Sequence, residues 1–142
     1  MKTRYPECEE KTTAPIIKFE ESKVKLYFLN PNRRESLKIK VDGCIYEEGS
    51  EEIRCDYLLL DFNHREHFIE LKGSDVPHAI KQLEASINAR SESPRDLLKS
   101  AYVAAINFHP KITTKVGNEK ARFKRDFNAT LKIVKSGHEE TL

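Results

Sequence analysis

Two short segments carry side chains that could share one hydrolytic reaction: Cys55-Asp56-Tyr57, and Phe68-Ile69-Glu70-Leu71-Lys72. Side chains alternate along a strand, so Glu70 and Lys72 share one face while Ile69 and Leu71 share the other. An acid and a base are thereby held side by side above an apolar face. Asp56 interrupts a run at 53–60 that is apolar apart from it and Arg54, and an uncompensated charge there costs several kcal/mol. The polar stretch Asp61-Phe62-Asn63-His64-Arg65-Glu66 lies between the two runs and predicts an antiparallel hairpin. If the hairpin closes near His64, paired positions sum to about 128, which sets Asp56 opposite Lys72 with Glu70 on the diagonal. An odd register would move Asp56 to the other face.

Two carboxylates and a lysine on adjacent strands suit phosphodiester hydrolysis. That reaction needs charge on the phosphate neutralised and a water made nucleophilic near neutral pH, and a bound Mg²⁺ supplies both. Lys72 is then placed to orient the water or to stabilise charge developing on the phosphate. An arbitrary acid-x-lysine on a strand is most often a solvated ion pair. Here the buried setting of Asp56 and its agreement with Glu70 and Lys72 through the hairpin argue for more.

These residues resemble the pattern of the PD-(D/E)XK nuclease superfamily, in which an acid at a strand start is followed, after a gap, by acid-x-lysine on the next strand. Asp56, thirteen intervening residues, Glu70, Leu71 and Lys72 fill that pattern. The resemblance covers about residues 37–108 and implies that Asp56 and Glu70 bind Mg²⁺ or Mn²⁺, with the Leu71 carbonyl as a further ligand and Lys72 assisting the attacking water. It also implies DNA as substrate, with a homodimer placing two sites on two strands. Cys55 stands where the family has proline. No helix is evident before Lys23 to supply a further acid; Asp42 or one of Glu47, Glu48, Glu51 and Glu52 would serve instead. Gln82 matches the glutamine of the family's Q-x-x-x-Y helix motif and could face the site, but Ser86 replaces the tyrosine. A non-catalytic nucleic-acid-binding subunit of the same fold, in a repair or defence assembly, is the rival reading.

The elements that must position these residues follow from periodicity. Residues 23–29 and 37–41 read as strands, the second alternating apolar and basic residues, and 53–60 and 68–71 as the hairpin strands. Asp75 and Pro77 start a helix over 77–90, with Ile80, Leu83 and Ile87 on its apolar face. A buried strand follows at 101–108, a short helix at 117–127 with Phe123 and Phe127 one turn apart, and a last strand at 131–134. Residues 1–15 show no period and read as a loose arm. The expected fold is α/β (α+β): one domain spanning 1–142, a single mixed β-sheet flanked by helices, with a restriction-endonuclease-like core. His64 and His67 are assigned to the hairpin turn, His78 to a solvent-facing helix position and His109 to the end of the buried strand.

With 142 residues, 38% hydrophobic and 34% charged, the chain is long enough for one core and too polar for a membrane span. Its charge is uneven: residues 1–71 hold 12 Lys/Arg against 15 Asp/Glu, and residues 72–142 hold 13 against 8. Lys111, Lys115, Lys120, Arg122, Lys124 and Arg125 form a basic stretch suited to phosphate contacts that position a nucleic acid without reading its sequence. The three cysteines have no paired short spacing, so they are expected to be buried or incidental thiols. The charged first ten residues carry no secretory signal, which predicts cytoplasmic residence.

Overall fold

Alternation along the strands separates two apolar layers. In the computed structural model, which describes residues 5–72, 74–106 and 113–142, nine strands and two helices form one α+β domain. Six strands make the main sheet, in the order β1 (Glu9–Thr12), β4 (Ser36–Lys40), β5 (Tyr57–Leu60), β6 (Glu66–Lys72), β7 (Lys99–Ala105) and β8 (Ala129–Lys135). The strands β1, β4, β5 and β6 pair antiparallel, whereas β6, β7 and β8 run parallel, joined by the crossover helices α1 (Val76–Arg90) and α2 (Thr113–Phe127). A second sheet, ordered β2 (Ile16–Glu21), β3 (Val24–Leu29) and β9 (His138–Thr141), covers the opposite face.

Each layer has its own core. On the helix side, Leu58, Phe68, Ala101 and Val103 pack with Leu83 and Ile87 of α1 and Phe123 and Phe127 of α2. On the other side, Leu59, Ile69, Leu71 and Tyr102 meet Ile17, Phe19, Leu26 and Phe28 of the small sheet. Phe28 stands edge-on to Tyr102 with ring centroids 5.4 Å apart, and removing a phenylalanine of this kind from water is worth about 2–3 kcal/mol. All seven residues of β7 are buried, as a strand covered on both faces requires. Lys99 is tolerated there because its ammonium donates to the carbonyls of Ser93, Pro94, Leu97 and Phe127.

Helix α1 begins and ends close to expectation, whereas α2 ends at Phe127 as expected but starts four residues before the expected position 117. Asp75 caps α1 by accepting the amide of His78 at 3.1 Å, with Pro77 in the first turn. His78 itself is exposed, as anticipated.

Five expectations about the elements need correction, and with them the reading of two cysteines as thiols. The flanking sheet replaces the single sheet, because β2 and the polar β9 pair with β3. Residues 1–15 are not a loose arm as far as they are described: β1 pairs with β4 and forms the edge of the main sheet, and Cys8 is joined to Cys44 in a disulfide. Cys8 and Cys44 are therefore not thiols, and only Cys55 is free. Such bonds persist mainly in oxidising surroundings, which fits poorly with a reducing cytoplasm. Third, residues 53–56 are not part of a strand, and β5 begins at Tyr57. Fourth, His67 belongs to β6, where it is buried with Nε2 2.9 Å from Asp61 Oδ2. Last, the hairpin pairs Tyr57 with Ile69 and Leu58 with Phe68, two positions tighter than predicted. The turn explains this: Asp61 Oδ1 accepts the amides of Asn63 and Arg65, and His64 takes a left-handed conformation at φ 61°, which centres the hairpin one residue earlier. His109 and Lys111 lie outside the described residues. Among the described residues, no helix is long and apolar enough to cross a membrane.

Candidate metal centre

The register keeps its even parity, and continuing it one position beyond the Tyr57–Ile69 pair sets Asp56 against Glu70 with Lys72 on the diagonal. The three groups remain at one end of the hairpin with two roles exchanged. The amide of Asp56 donates to the carbonyl of Ile69 at 3.1 Å, and the amide of Leu71 donates to Asp56 Oδ2 at 2.8 Å. A carboxylate thus replaces the backbone acceptor that a continued ladder would have offered. Leu71 touches the site through this amide, while its side chain enters the core against the small sheet.

Both carboxyl groups are removed from water, Asp56 being 8% and Glu70 2% exposed. Burial pushes Asp56 up to about 6, opposed by the Leu71 amide and reinforced by the charges of Glu21 and Asp42. Glu70 is pushed up to about 9, first by burial and then by the neighbouring Asp56, with Lys72 pulling against the shift. The two carboxyls share a hydrogen bond that favours the proton on Glu70. Glu70 Oε1 is buried and has no hydrogen-bond partner among the described residues, and the same holds for Gln82 Oε1.

The surrounding backbone is pinned from three directions. The amides of Val41 and Asp42 donate to the carbonyl of Asp56 at 2.9 and 3.2 Å. Ser86 Oγ, on α1, accepts the amide of Cys55 at 2.7 Å, and Gln82 Nε2 donates to the carbonyl of Arg54 at 3.1 Å. Ser86 sits where the resembled motif has tyrosine, and its task here is to fix the chain just before Asp56. Arg54 is 8% exposed and binds Asp42 Oδ1 at 2.6 Å while donating to the carbonyls of Glu47, Ser50 and Glu52. Of the acids considered as a third ligand, Asp42 is therefore held by Arg54, although its charge reaches both Asp56 and Glu70. Glu47, Glu48, Glu51 and Glu52 are exposed. Periodicity could not reveal Glu21 or Ser86 at the site, because each arrives from an element distant in sequence, and it could not show that the neighbouring Arg54 folds back onto Asp42.

Hard oxygen donors suit Mg²⁺ or Mn²⁺, and Mg²⁺ is commonly held by one or two carboxylates with waters completing its shell. Asp56, Glu70 and the partnerless Oε1 atoms of Glu70 and Gln82 fit that chemistry. Among the described residues, no group of three or more His, Cys, Asp or Glu side chains gathers around one point, so protein carboxylates would supply only part of the coordination. Cys55 contributes no nucleophile: burial pushes its thiol up to about 12.

The basic stretch is divided by the fold. Arg122 forks onto Glu84 of α1 at 2.9 and 2.8 Å and also meets Glu119 at 2.7 Å, so it ties the two helices together and is not a free phosphate contact. Lys115, Lys120, Lys124 and Arg125 are exposed, with Arg125 against Asp126 at 3.0 Å and Lys124 3.3 Å from Asn128 Oδ1. Because α2 returns from the end of β7 to the start of β8, its N-terminal turn lies at the same end of the sheet as Glu70 and Lys72. Lys115 lines a groove with Val76 and Pro77 at the start of α1. Lys124 and Arg125 lie in the last turn of α2, nearer the far end.

Comparison with known protein families, with curated proteins and with solved structures finds no match to this chain.

Proposed function

We propose that the protein is a divalent-metal-dependent nuclease acting on DNA, with a restriction-endonuclease-like core. The observation that carries this reading is the buried Asp56–Glu70 pair, held carboxyl to carboxyl with Lys72 beside it and an unpartnered oxygen on Glu70. Burying two acids and leaving one oxygen unsatisfied costs stability, and such strain is characteristic of functional sites. The antiparallel run β4–β5–β6 followed by α1 and β7 also supports it, since this order places the start of one strand and the end of the next at the mouth of the sheet.

Asp56 and Glu70 would hold Mg²⁺ or Mn²⁺, with Gln82 Oε1 and the Leu71 carbonyl as candidate oxygens. When bound, the cation would neutralise phosphate charge and lower the pKa of its water. Glu70 gives up its proton as the site is loaded, since a cation favours the carboxylate that burial disfavours. Lys72 positions the attacking water and offers its ammonium to charge developing on the phosphate. Lys115 and Lys120 hold the phosphate backbone, and the start of α1 adds a helix N-terminus on the same side.

The direct test is incubation with single-stranded, double-stranded and branched DNA, with and without Mg²⁺. Metal-dependent cleavage of at least one form is expected. Metal binding without cleavage of any form would favour the non-catalytic binding subunit.

A further inference from the structure

The Cys8–Cys44 disulfide joins the N-terminal segment to the turn that supports Asp56. Cys44 lies in a turn closed by Gly43 N to Tyr46 O at 2.8 Å and Tyr46 N to Val41 O at 3.0 Å. Gly43 makes that turn with φ 84°, a conformation side chains resist. Val41 and Asp42, at its start, are the residues whose amides hold the Asp56 carbonyl. Tyr46, at its end, accepts Arg90 Nη2 at 2.9 Å through its hydroxyl, and Arg90 also lies over the ring of Tyr5 at 5.5 Å. Arm, turn and α1 are thus joined once by a covalent bond and once by Arg90.

We propose that this disulfide is a redox-sensitive tether that fixes the turn against the Asp56 carbonyl and, through it, the cation affinity of the Asp56–Glu70 pair; the second half rests on the functional reading above. The covalent link spans 36 residues; with it open, β1 stays paired with β4, and the turn beyond its buried first residue Val41 is held to the core by the partly buried Ile45 and Tyr46. Cys44 is half-buried, and both cysteines line an open depression of about 320 Å³ with Glu7, Lys38 and Tyr57, so a small thiol reaches the bond. In the reducing direction, a thiolate of a dithiol reductant attacks Cys44 Sγ and Cys8 Sγ leaves as thiolate. The reductant's second thiol, as thiolate, then displaces Cys44 Sγ and closes the reductant's own disulfide. Two electrons pass from the dithiol to the protein, and the two cysteine thiolates take up the two protons that the dithiol has released.

The experiment compares the oxidised protein, the same sample after a dithiol reductant, and the Cys8→Ser/Cys44→Ser variant. It measures free thiols, amide hydrogen exchange and Mn²⁺ binding by calorimetry. The oxidised protein should show one thiol in denaturant, that of Cys55. On reduction, exchange of the Val41 and Asp42 amides should accelerate about tenfold or more, and the Mn²⁺ dissociation constant should rise about fivefold or more. Reoxidation should reverse both changes, and the serine variant should behave as the reduced protein under all conditions. Three free thiols in aerobically purified protein, or unchanged exchange on reduction, would overturn the tether. Accelerated exchange with Mn²⁺ affinity unaltered would overturn its link to the site. If the oxidised protein binds no Mn²⁺ while exchange still accelerates on reduction, the metal-site reading fails and the tether on Asp56 stands. Should the serine variant not fold, reduction of the folded wild type supplies the same readouts.

Discussion

The amide of Leu71 is bound by the side chain of Asp56 and not by a backbone carbonyl, at 2.8 Å. This one bond places the Asp56 carboxyl over the middle of the acid-x-lysine segment, within reach of the Glu70 carboxyl. Two acids in that relation cannot both carry charge cheaply without a cation, and the predictions below follow from that conflict.

Glu70 should make the metal-free protein less stable as pH rises. Its carboxyl in the folded chain is raised above the ordinary 4.5 to about 9, so its contribution is fully present below the unfolded value and is lost progressively as pH climbs towards 9. By pH 7 the loss is about 3 kcal/mol as an upper bound. Thermal unfolding in a chelator between pH 5 and 9 should show a falling transition temperature for wild type and a flatter profile for Glu70→Gln, with the variant the more stable above neutrality. Equal slopes for the two proteins would show that Glu70 ionises without penalty.

Cation binding should displace a proton. With Asp56 raised to about 6 and Glu70 to about 9, loading the site between those values ionises Glu70, so Mn²⁺ affinity should rise about tenfold per pH unit. Calorimetry in two buffers of different ionisation enthalpy reads the proton directly. A pH-independent affinity would place the cation elsewhere.

Arg122 should matter to stability and hardly at all to DNA. Its fork onto Glu84 is part-exposed, so Arg122→Ala should cost about 1 kcal/mol. Lys115→Ala and Lys120→Ala should instead leave the unfolding transition in place and each reduce the slope of log affinity against log salt by about one. An Arg122→Ala protein with a normal transition temperature and a reduced salt slope would reverse the assignment.

How much of this was legible follows from where the signals lie. The hairpin, α1 and β7 carry dense apolar runs with capping residues, and Asp75, Pro77, Ile80, Leu83 and Ile87 sit where their types predict. The even spacing of Glu70 and Lys72 also fixed their shared face. The register was missed because it depends on the Asp61 side chain binding two amides of its own turn, a choice the sequence pattern leaves open. The strand β1 was missed because Glu9–Thr12 joins the sheet through its backbone and carries no apolar stripe. Ile17 and Phe19 do alternate, yet β2 pairs with β3 in a separate sheet and buries them against the main one, and only the paired fold shows that. Cys8 and Cys44 gave no hint because a disulfide between distant residues is a fact of tertiary structure.

The most direct test of the account separates binding the cation from using it. Wild type, Glu70→Ala and Lys72→Ala are compared for Mn²⁺ affinity by calorimetry and for Mg²⁺-dependent cleavage of the best DNA form. The account predicts that Glu70→Ala loses both cation binding and cleavage, whereas Lys72→Ala keeps cation and DNA binding and loses cleavage by at least about 100-fold. The double change should be little worse than either alone, because the two residues act as one unit. Cleavage by Lys72→Ala at the wild-type rate, with contaminating nuclease excluded, would contradict the account.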